Sequence, residues 1–464
     1  MQKGFPGPAF LTYSRFRFKV FKILYDVRVK SPKAEASLLA GGRRDVDPPD
    51  TEHAVICFSK LRKCGVSLER GSCEVTKRSI HHSCGQKVLL TTTSLWFVYG
   101  GVLNMEKLKV GILGATGMVG QRFVTLLSDH PYFQIVVLAA SERSKGKTYE
   151  EAVGGRWKMD AAMPELVKNM VLYNVNEIEE VSSKVDMVFS AVDMTKDEIR
   201  RIEEEYAKTE TPVVSNNSAH RWTPDVPMVI PEINLDHFHV IEDQKKRLGT
   251  KRGFIAVKPN CSIQSYTPAL AAWKEFEPYE VVATTYQAIS GAGKTFKDWP
   301  EMNGNIIPYI GGEEEKSEKE PLRVFGHVEN GEIVSATEPV ITCQCVRVPV
   351  LNGHTVAVFV KFRKKVTKEQ LIEKLVNFSG YPQEHNLPSA PKPFIQYLEE
   401  DDRPQVTQDV DFQGGMGVSI GRLREDTVYD WKFIGLSHNT LRGAAGGAVL
   451  CAETLVSLGY ITAK

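Results

Sequence analysis

Beginning at Leu108, short apolar runs alternate with segments of helical periodicity. Leu108–Leu113 (LKVGIL) reads as a buried strand, and Met118–Ser128 spaces its apolar residues for a helix. Ile135–Ala140 and Val185–Val192 repeat the strand pattern, followed by a charged helix around Asp197–Lys208. Thr211–Ser215 and Met228–Pro231 are expected to close this first sheet. Strand–helix–strand units in succession imply right-handed crossovers and a parallel sheet. After Phe254–Val257 the pattern changes. Val281–Ile289, Ile341–Val350 and Thr355–Phe362 are long extended stretches with fewer helices between them, predicting a second domain on a mixed or antiparallel sheet. Trp431–Leu436 and a Gly/Ala-rich helix from Thr440 to Leu458 follow. The charged stretch Glu313–Glu320 reads most simply as a solvated loop or helix start.

The length of 464 residues, with 42% hydrophobic and 25% charged residues, fits two or three folded domains and excludes collagen-like, disordered and disulfide-scaffold classes. The net charge of +1 hides two regimes: residues 1–104 hold 17 Lys+Arg against 8 Asp+Glu, and 105–464 hold 41 against 49. The larger part is mildly acidic, so no nucleic-acid partner is expected. The basic start superficially resembles an organelle-targeting segment, and Val88–Asn104 is an uncharged run interrupted by Thr-Thr-Thr-Ser and Gly-Gly. Neither pattern is complete. Residues 1–104 are predicted to be a poorly structured extension, or to lie upstream of the true start, with no membrane anchor. Cys57, Cys64, Cys73 and Cys84 fall there beside His81 and His82, without a C-x-x-C pair, and read as unrelated thiols rather than a metal site. Cysteines scattered through a long chain suit a reducing, cytoplasmic setting.

Gly111-Ile-Leu-Gly114-Ala-Thr116-Gly117-Met118-Val119-Gly120 sits between a predicted strand and a predicted helix. Glycine there lets the backbone turn tightly and approach a pyrophosphate, which the free N–H groups of the helix start would receive. The alternative is a Gly-rich turn with only a packing role. At the end of the second strand, Ser141, Arg143 and Ser144 suit a 2′-phosphate, favouring NADP, whereas Glu142 argues for NAD. The fold expected is α/β: a Rossmann-type NADP-binding domain over 105–258, completed by a C-terminal helix within 438–464, plus a mixed α+β second domain over 259–437 whose long strands offer a sheet face for subunit pairing.

Phe254–Val257 ends a strand, Lys258-Pro259-Asn260 turns, and Cys261 begins the next helix. A cysteine there would feel the helix dipole and favour thiolate, with Lys258 adding positive charge; a buried structural cysteine is the competing reading. His354 follows a strand and a Gly353 turn, and a thiol enzyme needs a base near neutrality. Arg347, on the same segment, can grip a carboxylate bidentately or serve as a surface ion pair.

From Met105 onward the chain resembles the aspartate-β-semialdehyde dehydrogenase family, particularly its archaeal and fungal-type branch. GATGMVGQ, SNNSAHR, KPNCS, QAISGAG, GGEEEK, RVPVLNGHT and NTLRGAAGG occur in that order. The resemblance implies that Cys261 is the acyl-thioester nucleophile, His354 the acid/base, and Gln287 the residue orienting substrate. It implies that Arg347 clamps the α-carboxylate, Glu313 faces the α-amino group, Lys316 contacts phosphate, and Asn260 joins them. Adjacent Glu314 and Glu315 leave that register open. Asn217, Ser218 and Arg221 occupy a stretch that binds phosphate in the bacterial branch. Thr116–Val119 would wrap the pyrophosphate after Gly114; Ser190, Ser290 and Gly291 would line the cofactor, and Asn439 would reach its nicotinamide side. The implied reaction reduces L-aspartyl 4-phosphate to L-aspartate 4-semialdehyde with NADPH, releasing inorganic phosphate, in a homodimer or homotetramer. Alternatives are a malonyl-CoA reductase or N-acetylglutamyl-phosphate reductase of like architecture, and a non-catalytic NADP-binding sensor.

Overall fold

A computed structural model describes residues 106–464, together with the backbone of a short ribbon in which Ile80–His81 pairs antiparallel with Lys87–Val88. That ribbon belongs to a separate unit, Met1–Met105. The expectations of a poorly structured extension, a targeting segment, four unrelated thiols and an unanchored Val88–Asn104 run lie outside the described residues. Among the described residues no helix is long and apolar enough to cross a membrane.

Six strands form a wholly parallel first sheet: β1 Leu108–Leu113, β2 Phe133–Ala140, β3 Tyr173–Asn174, β4 Met187–Ser190, β5 Val213–Ser215 and β6 Ile255–Val257. Their order is β3-β2-β1-β4-β5-β6. Val110, Ile112, Val188, Phe189, Val213 and Val214 are fully buried, which is why these strands read as continuous apolar runs. Helix α1 (Met118–Leu127) follows β1, and α2 (Lys196–Lys208) is opened by a Thr195/Glu198 capping box. The strand order reverses between β1 and β4, creating at their carboxyl ends the crevice where such sheets bind ligands. One expectation is corrected. Met228–Pro231 is buried beside the sheet but forms no strand, because prolines flank it and only Met228 bridges to Val257. The closing strand is β6.

The second sheet is mixed. It contains β7 Pro278–Gln287, β10 Val340–Arg347, β11 His354–Phe362, β12 Ile395–Leu398, β13 Val418–Glu425 and β14 Trp431–Ser437, while β8 (His327–Glu329) and β9 (Glu332–Val334) form a separate hairpin. The order is β10-β7-β11-β14-β13-β12, with the two outer pairs parallel and the central pairs antiparallel. One face packs on α3 (Thr267–Ala272) and α5 (Lys368–Val376) around buried Trp273, whose ring meets Phe433 edge-on at 5.1 Å. The stretch expected to be a loop or helix start is helix α4, Glu313–Val324; Ser317, Glu320 and Val324 recur at helical spacing and are buried.

Helix α6 (Ala445–Ser457) returns the chain to the first sheet, where Ala448, Val449, Ala452 and Leu455 share a core with Phe123 and Phe189. Just before it, the Arg442 guanidinium forms a buried bidentate pair with Glu232 at 2.8 and 2.6 Å.

Candidate active site

The turn after β1 is built for close approach. Gly114 has φ +81°, and a Cβ there would strike the Ala191 carbonyl; one at Gly120 would strike the Gly114 carbonyl. Gly117 caps α1 without a side chain, so the first amides of the helix, Met118 and Val119 among them, keep unspent donors. Gln121 braces this turn by donating to the Thr116 carbonyl at 3.0 Å. At the end of β2, Ser141, Arg143 and Ser144 lie on one short 3₁₀ turn. The exposed Glu142 carboxylate accepts from the Asn174 side-chain amide. A cradle with free amides, backed by a serine/arginine turn, fits a phosphorylated dinucleotide.

Cys261 and His354 arrive from different elements. The thiol follows β6 and the Lys258-Pro259-Asn260 turn, whereas the imidazole is the first side chain of β11. Their Sγ···Nε2 distance is 3.3 Å. The Ala288 peptide N–H donates to His354 Nδ1 at 3.1 Å, so a neutral ring carries its proton on Nε2, toward the sulfur. Ser265 Oγ holds the His354 carbonyl at 2.7 Å. The helix-dipole expectation for Cys261 is corrected, since only a four-residue 3₁₀ turn follows it. Burial, reinforced by Glu313, pushes the thiol up to about 11, against the opposing pull of Lys258, Arg221 and Arg347. Burial, then Arg347, pushes His354 down to about 3, so it is held neutral rather than titrating near pH 7. Lys258 is itself buried, pushed down to about 7 by desolvation, with Nζ donating to the Pro259 carbonyl at 2.6 Å.

Around this pair converge the ends of three elements. Gln287 ends β7, Arg347 ends β10, and Glu313 begins α4. The Glu313 carboxylate accepts from Asn260 Nδ2 at 3.0 Å, from Lys316 Nζ at 2.7 Å and, at a long 3.5 Å, from Gln287 Nε2. Burial would raise its pKa, but Lys316 and Asn260 outweigh that and hold it below the ordinary range. Arg347 donates one NH1 bond to the Ala288 carbonyl at 2.7 Å. Gly291 lies against both functional groups: a Cβ there would be 3.1 Å from Arg347 NH1 and 3.2 Å from His354 Cε1. Asn439 bridges two turns, donating to Ser290 Oγ at 2.8 Å and accepting from Gly353 N at 2.8 Å. Of the three adjacent glutamates, Glu313 joins Asn260, Lys316 and Gln287, Glu314 accepts from the Cys345 amide on β10, and Glu315 pairs outward with Lys319 at 2.7 Å.

Two groups stand elsewhere. Arg221 is buried in an ion pair with Glu320 at 3.0 Å, and its Nε holds the Lys258 carbonyl, so it supports the turn behind the thiol. Ser190 accepts from Asn217 Nδ2 at the end of β4. Sequence reasoning missed Glu320, which accepts from the Asn260 amide at 2.6 Å, and the Ala288 peptide. Glu320 was findable, lying two turns from Glu313 on the same helix face. A backbone donor has no sequence signal.

A parallel sheet with a phosphate-binding turn, joined to a thiol–imidazole pair and a polar cluster for small anionic substrate, is the framework of a dinucleotide-dependent dehydrogenase. Residues 109–241 match the semialdehyde dehydrogenase NAD binding domain and 269–442 the semialdehyde dehydrogenase dimerisation domain. Aspartate-semialdehyde dehydrogenase of Methanothermobacter thermautotrophicus is 41% identical, covering 75% of this chain and 98% of the relative; that of Schizosaccharomyces pombe is 42% identical, covering 76% and 99%. The crystal structure of the Candida albicans enzyme with NADP superposes with TM-score 0.69 at 37% identity, covering 77% of this chain and all of that one. The chain belongs to the aspartate-semialdehyde dehydrogenase family.

Proposed function

We infer that the protein catalyses NADPH-dependent reductive dephosphorylation of L-aspartyl 4-phosphate to L-aspartate 4-semialdehyde, through a thioester on Cys261. The observation that carries this is the 3.3 Å thiol–imidazole contact set beside Glu313, Gln287 and Arg347. In this reading Arg347 grips the substrate α-carboxylate, Glu313 receives the α-ammonium, Lys316 meets phosphate, and Gln287 orients the acyl group. The Cys261 thiolate attacks the acyl carbon; a C–S bond forms, the C–O bond to phosphate breaks, and inorganic phosphate departs. Thr116–Val119 would hold the cofactor pyrophosphate, Ser141, Arg143 and Ser144 its 2′-phosphate, and Ser190, Ser290, Gly291 and Asn439 would lie along it. NADPH, when bound, supplies the hydride that reduces the thioester carbonyl. The C–S bond then breaks, the aldehyde leaves, and sulfur retains the bond's electron pair. Throughout, His354 presents its Nε2 proton to sulfur, stabilising it as nucleophile and as leaving group.

The named relatives support this substrate over a CoA thioester and over a non-catalytic sensor. The match to a dimerisation domain supports a homo-oligomer built through the mixed sheet, where Tyr286 and Val340 are exposed. We place the enzyme in the cytoplasm, as a homodimer or homotetramer. Cys261→Ser is expected to abolish turnover while retaining NADPH binding, with no acyl adduct detected at position 261 by mass spectrometry. Near-wild-type turnover would overturn the assignment.

A further inference from the structure

β10 is an edge strand of the mixed sheet, and an edge strand must dispose of its unpaired backbone donors. Three of these donors, on alternate residues of one side, have identified acceptors. The amide of Cys343 donates to Glu318 Oε1 at 3.0 Å, that of Cys345 to Glu314 Oε1 at 3.3 Å, and that of Arg347 to the Ile307 carbonyl at 2.8 Å. Glu314 and Glu318 are one helical turn apart on α4, and their spacing matches the two-residue repeat of the strand edge. The same helix carries Glu313 and Lys316, and the same strand ends in Arg347. Two carboxylates therefore join the element bearing the proposed ammonium and phosphate ligands to the element bearing the proposed carboxylate clamp.

We propose that Glu314 and Glu318 are positioning residues. They latch α4 to the edge of β10 and so fix the distance between Glu313 and Arg347 to which the length of the amino-acid substrate is matched. The proposal rests on the substrate reading given above. It explains why three consecutive glutamates serve three purposes: the first binds, the second latches, and the third is solvated. Side-chain carboxylates suit this role because, as ionised acceptors, they hold backbone N–H groups more firmly than neutral oxygens do.

The test uses the full chain, with aspartate semialdehyde, inorganic phosphate and NADP as reactants. In the double variant Glu314→Leu/Glu318→Leu, KM for aspartate semialdehyde is expected to rise about tenfold, with KM for NADP unchanged to within about twofold. Hydrogen exchange at the amides of Cys343 and Cys345 should accelerate in the same protein. Glu314→Gln/Glu318→Gln keeps both acceptors and should restore most of the substrate KM. A Leu double variant with wild-type substrate KM and wild-type exchange overturns the latch, as does a Gln double variant as impaired as the Leu one. Should the Leu double variant fail to fold, Glu318→Leu alone, with Glu318→Gln as its rescue, decides by the same two readouts. Glu313→Gln separates the layers. An unchanged KM there sinks the substrate reading, while the exchange measurement still judges the latch.

Discussion

Gly291→Ala puts the least possible material against both Arg347 and His354. The glycine is exposed and its φ lies outside the left-handed region, so alanine costs the backbone little. The added Cβ would stand 3.1 Å from Arg347 NH1, 3.2 Å from His354 Cε1 and 3.3 Å from His354 Nε2. Each neighbour must retreat by a few tenths of an ångström, and neither is free to do so. Arg347 is tied to the Ala288 carbonyl, and His354 is held between the Ala288 amide and the Cys261 sulfur. A misplacement of ~1 Å costs about 100-fold in rate. A displacement several times smaller, imposed on two groups together, is expected to lower kcat/KM about tenfold, or about 1.4 kcal/mol of transition-state stabilisation. The assay is phosphate-dependent NADP reduction with aspartate semialdehyde, run beside a thermal melt. Unchanged kcat/KM would refute the steric argument, and so would an activity loss accompanied by an equal loss of stability.

Burial of the thiol has a signature in pH. Because the Cys261 pKa is raised to about 11, the neutral form dominates at pH 7 to 9 and the reactive thiolate grows as pH rises. Iodoacetamide labelling at position 261, followed by peptide mapping in the free enzyme, should therefore keep climbing through pH 9, and a plateau below pH 8 would contradict it. Arg442→Leu strands the buried Glu232 carboxylate, leaving it only Gln383 at 3.3 Å among the described residues, and should destabilise the fold by about 3–5 kcal/mol in urea titration. Removing both partners, as Arg442→Leu/Glu232→Leu, should cost less than the single change; an equal or larger cost would refute the argument from an uncompensated charge.

The first sheet was legible because parallel strands buried on both faces become unbroken apolar runs, and β1 was bounded correctly at both ends. Met228–Pro231 shows the weakness of that signal, since burial without a hydrogen-bonding ladder leaves the same pattern. In the second domain β12 and β13 escaped notice, because Val418–Glu425 mixes glycine, arginine and serine among its apolar residues. The thiol, imidazole and Arg347 were legible as chemistry, and the resemblance supplied the substrate-side residues. What stayed hidden depends on distance: the Ala288 peptide that settles a tautomer, and Arg221, whose charge is answered by a glutamate 99 residues away.

The return of α6 to the first sheet imposes an order on biosynthesis. Phe123 and Phe189 complete their packing against Val449 and Leu455, more than two hundred residues downstream of either. While a ribosome is still translating the mixed sheet, the nucleotide-binding half lacks one wall and exposes apolar surface. That interval, rather than the finished enzyme, is when a chaperone would find most to hold.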